Sequence, residues 1–298
     1  MSVHGLSRSQ QRSDRLARRR AVNRLMETLA WLSAALAVAV LGVVVWSVAA
    51  RGAGALNLDL LTKPPVPFSL TPVKQGVANA FAGTIVIVGL ATAMALPVGI
   101  LVAIYVNEFA RPAARSGITL ALDVLNGVPA IVIGIFVFGL LVVGRGQSGL
   151  AGAFALACLM LPLVARSTME VLSLVPSSLR EASLALGVPR WRTTLSIVLP
   201  QTIGGVLTGT TLAVARIAGE TAPLLFTSSI VGTQVSWDPH RALQTVPVAI
   251  FELSESPDPA DHARAWAAAL VLLVFILLAS LTARWLANRN RQRITSSR

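Results

Sequence analysis

The chain has 298 residues, 54% of them apolar and only 13% charged, whereas an ordinary soluble domain carries about 25% charged residues. That balance excludes a conventional soluble protein, and the single Cys158 excludes both a disulfide framework and a cysteine metal cluster. The net charge of +12 would suit nucleic acid, but the basic residues gather just outside apolar runs, where charge sets membrane topology; the expected partner is the lipid bilayer, not nucleic acid.

In chain order, residues 1–27 form an Arg-rich segment (Arg12, Arg15, Arg18, Arg19, Arg20, Arg24) read as a cytoplasmic headgroup anchor. An apolar run follows at 28–50. It exceeds the roughly 7–15 residues of a signal-peptide core, so it is read as an uncleaved first span. Pro64-Pro65-Val66-Pro67 predicts a stiff extended stretch outside the membrane. Further apolar runs lie near 79–108, 119–143, 149–175, 194–230 and 265–287, each long enough for a bilayer crossing of roughly 20 residues. The second and fifth are over-long, so tilt, kinks or extension must absorb the excess. Pro97, Pro129, Pro162, Pro200 and Pro223 each remove a backbone donor in or at the end of a run, and in lipid the freed carbonyls need neighbouring helices or a polar path. The turn-rich 254–261 stretch and a basic tail at 288–298 complete the chain.

Lys and Arg fix the orientation. With the N-terminus inside, the inner segments carry 17 and the outer ones 5, which puts both termini in the cytoplasm. Trp31 and Trp285 then mark the inner interface, and Trp46 and Trp266 the outer one. The fold class expected is an all-α membrane protein with six spans, occupying residues 28–287.

Between the fourth and fifth runs, residues 181–200 read E-A-small-x3-G-x9-I-x-L-P through Glu181, Ala182, Ser183, Gly187, Ile197, Leu199 and Pro200. Ser178 and Glu181 have capping-box spacing. Gly187 suits a left-handed helix end, and Pro189 the first turn of a following helix. Leu179, Ala182 and Leu186 would give the short helix an apolar stripe, with Arg180, Arg190 and Arg192 supplying charge. The pattern resembles the cytoplasmic coupling loop of ABC importer permeases, here 176–200, the element that docks onto a separate ATPase.

Neither lysine, Lys63 or Lys74, ends a G-x-x-x-x-G-K-[ST] loop, so this chain is not expected to hold ATP itself. None of His4, His240 and His262 falls inside a span, which argues against a buried histidine relay or metal site. The charges within the spans are the candidate sites, because an ionised side chain at mid-bilayer costs about 2.5–3.5 kcal/mol or more. Arg216 and Glu220 stand four residues apart, as do Arg166 and Glu170. On continuous helices each pair would share a face. Such pairs serve equally as packing contacts or as a site for an oxyanion, which guanidinium matches in bidentate geometry.

The run Arg216-Ile217-Ala218-Gly219-Glu220-Thr221-Ala222-Pro223-Leu224 resembles the R-x-x-G-E-T-A-P-L signature of the PstA-type permeases of phosphate importers. Asn126–Gly134 resembles that family's G-x-P-S-I-V-x-G segment, with Ala130 in place of Ser. The resemblance implies the ABC importer permease fold in a bacterial cytoplasmic membrane. It implies a second, homologous permease, two ATPase subunits carrying ATP and Mg, and an extracytoplasmic phosphate-binding protein. It further implies a substrate path through Arg216, Glu220, Arg166 and Thr221, and ATPase coupling through Glu181, Ala182, Ser183, Gly187 and Arg180. Two other readings stay open: a permease for sulfate or molybdate, and a membrane signalling subunit that does not transport.

Overall fold

The computed structural model describes residues 4–66, 75–230 and 232–295. Residues 1–3, Pro67 of the proline stretch and the 296–298 end of the basic tail lie outside the described residues. The chain divides into two units at Arg51 and Gly52. The first consists of α1 (His4–Gly52) up to Arg51; α1 carries most of the candidate membrane span Arg18–Ala55.

Among its described residues the second unit has helices and connecting loops and no strand. Its helices are α2 (Leu58–Thr62), α3 (Ala78–Ile104), α4 (Pro112–Gly127), α5 (Ala130–Val137) and α6 (Gly149–Ser173). They are followed by α7 (Ser177–Ala185), α8 (Arg190–Thr193), α9 (Leu199–Ile217), α10 (Ala222–Thr227), α11 (Val246–Glu255) and α12 (Pro259–Thr295). Among the described residues five helices are long and apolar enough to cross a membrane, and a bent pair of helices makes six if the pair is one span.

That bent pair occupies the third apolar run, at the proline noted within it. α4 and α5 meet at 95° across Val128-Pro129. A proline drives its preceding residue out of the helical region, and Val128 indeed has φ −69° and ψ 127°. The fifth run is also not one helix. Residues Arg190–Ile217 form a span, after which the chain turns through Ala218–Thr221 into α10. Pro223 cannot donate to the carbonyl of Gly219 and its ring would clash there, so the helix breaks and restarts with Pro223 in its first turn. A π turn at Thr194–Val198 sits just ahead of Pro200, where the missing donor loosens the ladder.

α6 is the centre: 61% of its spanning window is buried, against at most 33% for the other spans. It runs parallel to α3. Thr92 reaches Met160, Gly99 packs on Val164, and Asn107 donates to the Met169 carbonyl at 3.4 Å. α9 runs antiparallel on another side, with Gly205 against Val171 and Gly209 against Ser167. Small residues let helix backbones approach within a bilayer, where water supplies no drive for association.

A Cβ at position 205 would lie 2.5 Å from Val171 Cγ1. Gly205→Val should therefore cost about 1–3 kcal/mol by overpacking, read as a lower yield of monodisperse protein in detergent. Adding Val171→Ala should restore it. A single variant as well behaved as wild type would refute the tight α6–α9 contact.

Candidate functional site

The chemistry-bearing residues gather at three places: the α7 end of the bundle, the spans, and the α11 end. At the α7 end, Arg180 lies along the terminal turn of α3. Its Nε and Nη2 donate to both oxygens of Glu108 at 2.8–3.2 Å. Its Nη1 donates to the Val175 carbonyl at 2.7 Å and its Nη2 to the Leu172 carbonyl at 3.0 Å. One guanidinium thus ties α7 to the ends of both α3 and α6, and Glu108 is only 8% exposed. Below this clamp Leu179 packs against an apolar cluster that includes Ala103, Val106, Leu122, Leu172 and Val198, so that α3, α4, α6, α7 and the start of the fifth span meet at one cluster.

Gly187 has φ +78°, as expected. Its N–H donates to the Leu184 carbonyl at 2.9 Å, and Val188 N–H to the Ser183 carbonyl at 3.1 Å. This is a Schellman ending that an L side chain would strain. Ser183 is buried, and its hydroxyl lies 2.8 Å from that of Thr193, which explains a small polar residue there. Glu181 and Ala182 are exposed.

Three sequence expectations at this end are corrected. The Ser178–Glu181 capping box does not form: α7 begins at Ser177 behind Pro176, which makes no side-chain cap, so Ser178 is already inside the helix. Pro189 precedes α8 as its cap residue instead of lying in its first turn. The Leu179, Ala182, Leu186 stripe does not lie on one helix, for α7 ends at Ala185 and Leu186 is its C-cap residue. Leu184, Leu186 and Trp191 instead form apolar surface that this chain leaves uncovered.

Within the spans, Arg166 pairs with Asp123 of α4, not with Glu170. Glu170 is exposed on α6 itself, and α4 crosses close enough for Asp123 to take the guanidinium first. Arg216 and Glu220 are not on one helical face either. α9 ends at Ile217, and the Gly219 and Glu220 N–H groups close a tight turn onto the carbonyls of Arg216 and Ile217, both at 3.1 Å. Among the described residues neither Arg216 nor Glu220 takes an ion-pair partner.

Arg216 is exposed in this chain. Thr221, half-buried, accepts the Leu224 and Leu225 N–H groups on its carbonyl at 3.1 and 3.2 Å and so starts α10. α10 packs on α5, where a Cβ at Gly134 would meet Pro223 Cα at 2.6 Å. The two segments carrying the family resemblance are therefore in contact. The two arginines are not: Arg216 lies seven residues beyond Gly209, which packs beside Ser167, so about 10 Å of helix rise separates their levels.

At the α11 end, a chain of amides joins distant segments. Asn79 donates to the Gly232 carbonyl at 3.1 Å and to Gln244 Oε1 at 3.0 Å, and Gln244 donates to Glu252 at 2.5 Å. Gln147 bridges the 144–148 turn to the end of α10 through the Phe226 carbonyl and the Ser229 N–H. Glu252 borders a cavity of about 300 Å³ with Gln75, Asp258, Asp261 and Arg264. Burial holds its carboxyl above the usual glutamate range, offset in part by the Gln244 hydrogen bond.

A carboxyl raised on folding weakens the fold wherever it is ionised; the penalty exists above its folded pKa and disappears as pH falls through it. Glu252→Gln keeps an acceptor for Gln244 and removes the charge. Its unfolding midpoint in detergent at pH 7 should exceed wild type by ~1–3 °C, the gap closing on acidification. A lower midpoint would show that the ionised form is needed. Neither Glu108, Asp123 nor Gln147 was singled out from sequence; the one available signal was a lone carboxylate, Glu108, closing a thirty-residue apolar run. Among the described residues no cluster of His, Cys, Asp and Glu could hold a metal ion.

Residues 95–292 match the family described as binding-protein-dependent transport system inner membrane component. The chain is 38% identical over 269 residues to the phosphate transport system permease protein PstA of Pasteurella multocida, covering 89% of this chain and 94% of the relative. It is 37% identical to phosphate transport system permease protein PstA 1 of Mycobacterium tuberculosis, covering 92% and 91%. Among solved structures, an inward-facing MetNI methionine ABC transporter matches with a TM-score of 0.56 at 17% identity, over 71% of this chain and 93% of that one. A bacterial transporter that imports the acidic polysaccharide alginate matches at 0.56 and 14%, over 72% and 79%. At these identities the structures establish the fold.

Proposed function

The chain belongs to the binding-protein-dependent transport system inner membrane component family, and from that premise we propose that it is the membrane-spanning permease subunit of an ATP-driven importer of inorganic phosphate. It forms half of the translocation path, with a second homologous permease as the other half. Two ATPase subunits, which hold ATP and Mg, dock at the α7 end, and an extracytoplasmic phosphate-binding protein docks at the α11 end.

The Lys and Arg distribution favours a cytoplasmic α7 end and cytoplasmic termini in a bacterial inner membrane. Residues 1–27 are then a cytoplasmic lead, 28–287 the permease domain and 288–298 a basic tail. The uncovered Leu184, Leu186 and Trp191 supply apolar surface for the ATPase, and Arg180 and Gly187 hold that surface in place beside Glu181, Ala182 and Ser183.

The observation that carries the substrate reading is Arg216. It is a guanidinium in the last turn of a spanning helix, with no ion-pair partner among the described residues. Such a charge cannot rest against hydrocarbon and is a ready fork for a tetrahedral oxyanion. Glu220 and Thr221 sit on the turn beside it, and Arg166 lies about 10 Å deeper.

The test is reconstitution of the chain with its companion permease, ATPase and binding protein, and measurement of ATP-dependent radiolabelled phosphate uptake against excess sulfate or molybdate. Competition only by unlabelled phosphate or arsenate upholds the reading. Competition by sulfate or molybdate moves the substrate, and an assembled complex without uptake turns the reading toward signalling.

A further inference from the structure

The substrate path proposed above gives no role to Asp123. Asp123 holds the Arg166 guanidinium in an ion pair that joins α4 to α6. The Asp123 side chain is 51% exposed and that of Arg166 31%. Arg166 lies seven residues before the end of α6, about 10 Å of rise. An ion pair exposed at that depth would be costly against lipid, so its open side faces water or the companion subunit.

We propose that Asp123 is a positioning residue for anion passage, a latch that occupies Arg166 until phosphate displaces it. The inference rests on the phosphate-importer reading. Three observations carry it beyond an ordinary packing contact.

First, the carboxylate and an incoming oxyanion compete for the same guanidinium N–H groups. Binding of one excludes the other at that edge, so Asp123 keeps Arg166 from trapping a doubly charged anion. Second, α4 is built to move as a piece. Leu122 is its one buried residue, and it ends at the Gly127-Val128-Pro129 break where the chain bends by 95°. Ile118, half-buried, packs on the same cluster as Leu122, and loss of the ion pair to α6 loosens α4 against these apolar contacts. Third, Leu122 belongs to the apolar cluster against which Leu179 of α7 packs. Motion of α7 driven by an ATPase therefore reaches α4 directly, and through α4 the Asp123 carboxylate. Phosphate arrival and ATPase closure act on the same latch from opposite sides.

Asp123→Asn tests this in the reconstituted complex, with radiolabelled phosphate as the probe. A latch closed nine-tenths of the time lowers apparent affinity about tenfold. Equilibrium phosphate binding to the nucleotide-free permease–ATPase complex, without binding protein, should tighten about tenfold per assembled complex. Maximal uptake should fall several-fold as release slows. Should the Asn variant not assemble, Asp123→Ser removes the same charge with a smaller side chain.

Unchanged or weaker phosphate binding per complex, beside normal wild-type uptake, overturns the latch. So does a variant whose only defect is the amount assembled, since that is what a packing contact predicts. Absence of phosphate uptake by the wild-type complex overturns the parent reading and the latch with it, and the wild-type control separates that case from the others.

Discussion

Arg180→Ala is expected to reduce ATP-driven uptake at least ~100-fold in a permease that still inserts into the membrane. Truncation leaves Glu108, 8% exposed, as a buried carboxylate without its guanidinium, and it frees the Val175 and Leu172 carbonyls that close α6. Breaking a buried pair on one side costs about 3–5 kcal/mol, which corresponds to roughly 10²–10⁴ in the fraction of molecules with α7 seated. The spans themselves do not depend on this contact, because α6 is packed on α3 and α9 along its whole length.

The loss should therefore show as uncoupling: ATP hydrolysis persists or rises while uptake disappears, and limited proteolysis opens residues 176–189. Arg180→Lys restores a point charge without the fork that meets both Glu108 oxygens, so it should recover only part of the uptake. Uptake near wild type in the alanine variant would show that force from the ATPase does not pass through this clamp. The clamp matters because α7 touches the spans through few groups. Leu179, the Arg180 guanidinium and the Ser183–Thr193 hydroxyl pair are its attachments to the bundle and to α8.

The sequence carries the number of spans and hides their shape. Apolar runs of spanning length are a direct consequence of bilayer thickness, and the structure has helices in all of them. The two breaks depend on short local signals inside those runs. Gly127-Val128-Pro129 and Gly219 through Pro223 are each legible as helix interruptions, but the 95° angle of the first and the docking of α10 on α5 come from packing. Gly187 was legible for a related reason: its left-handed backbone is a local demand that glycine answers.

Ion pairs behaved differently. The four-residue rule of helix surfaces pointed from Arg166 to Glu170 and from Arg216 to Glu220. It failed once because Asp123, 43 residues away in sequence, lies nearer in space, and once because α9 ends before Glu220 is reached. Likewise the Ser178–Glu181 spacing lost to Pro176, which starts α7 two residues early. Local rules hold where the backbone they assume exists, and prolines and neighbouring helices decide whether it does.

The end of α9 gives the sharpest test of the substrate path. Arg216→Ala should lower phosphate uptake by about 10²–10⁴-fold, since two charge-assisted hydrogen bonds to an oxyanion contribute about 1.5–3 kcal/mol each. Assembly should not suffer, because Arg216 is exposed and holds no ion pair among the described residues of this chain. Arg216→Lys keeps the charge but loses the planar fork, and should recover a minor part of the rate. Glu220→Gln separates two readings of the pair. If Glu220 simply neutralised Arg216 along a helix, removing its charge would disturb Arg216 as much as truncating it. The turn at Ala218–Thr221 places Glu220 beyond the helix end, so its loss should change uptake by less than tenfold. Radiolabelled uptake in reconstituted vesicles, normalised to assembled complex, reads all three variants. An alanine variant that assembles and transports at the wild-type rate would remove Arg216 from the path, and the oxyanion would then have to cross this half of the permease past Arg166 alone.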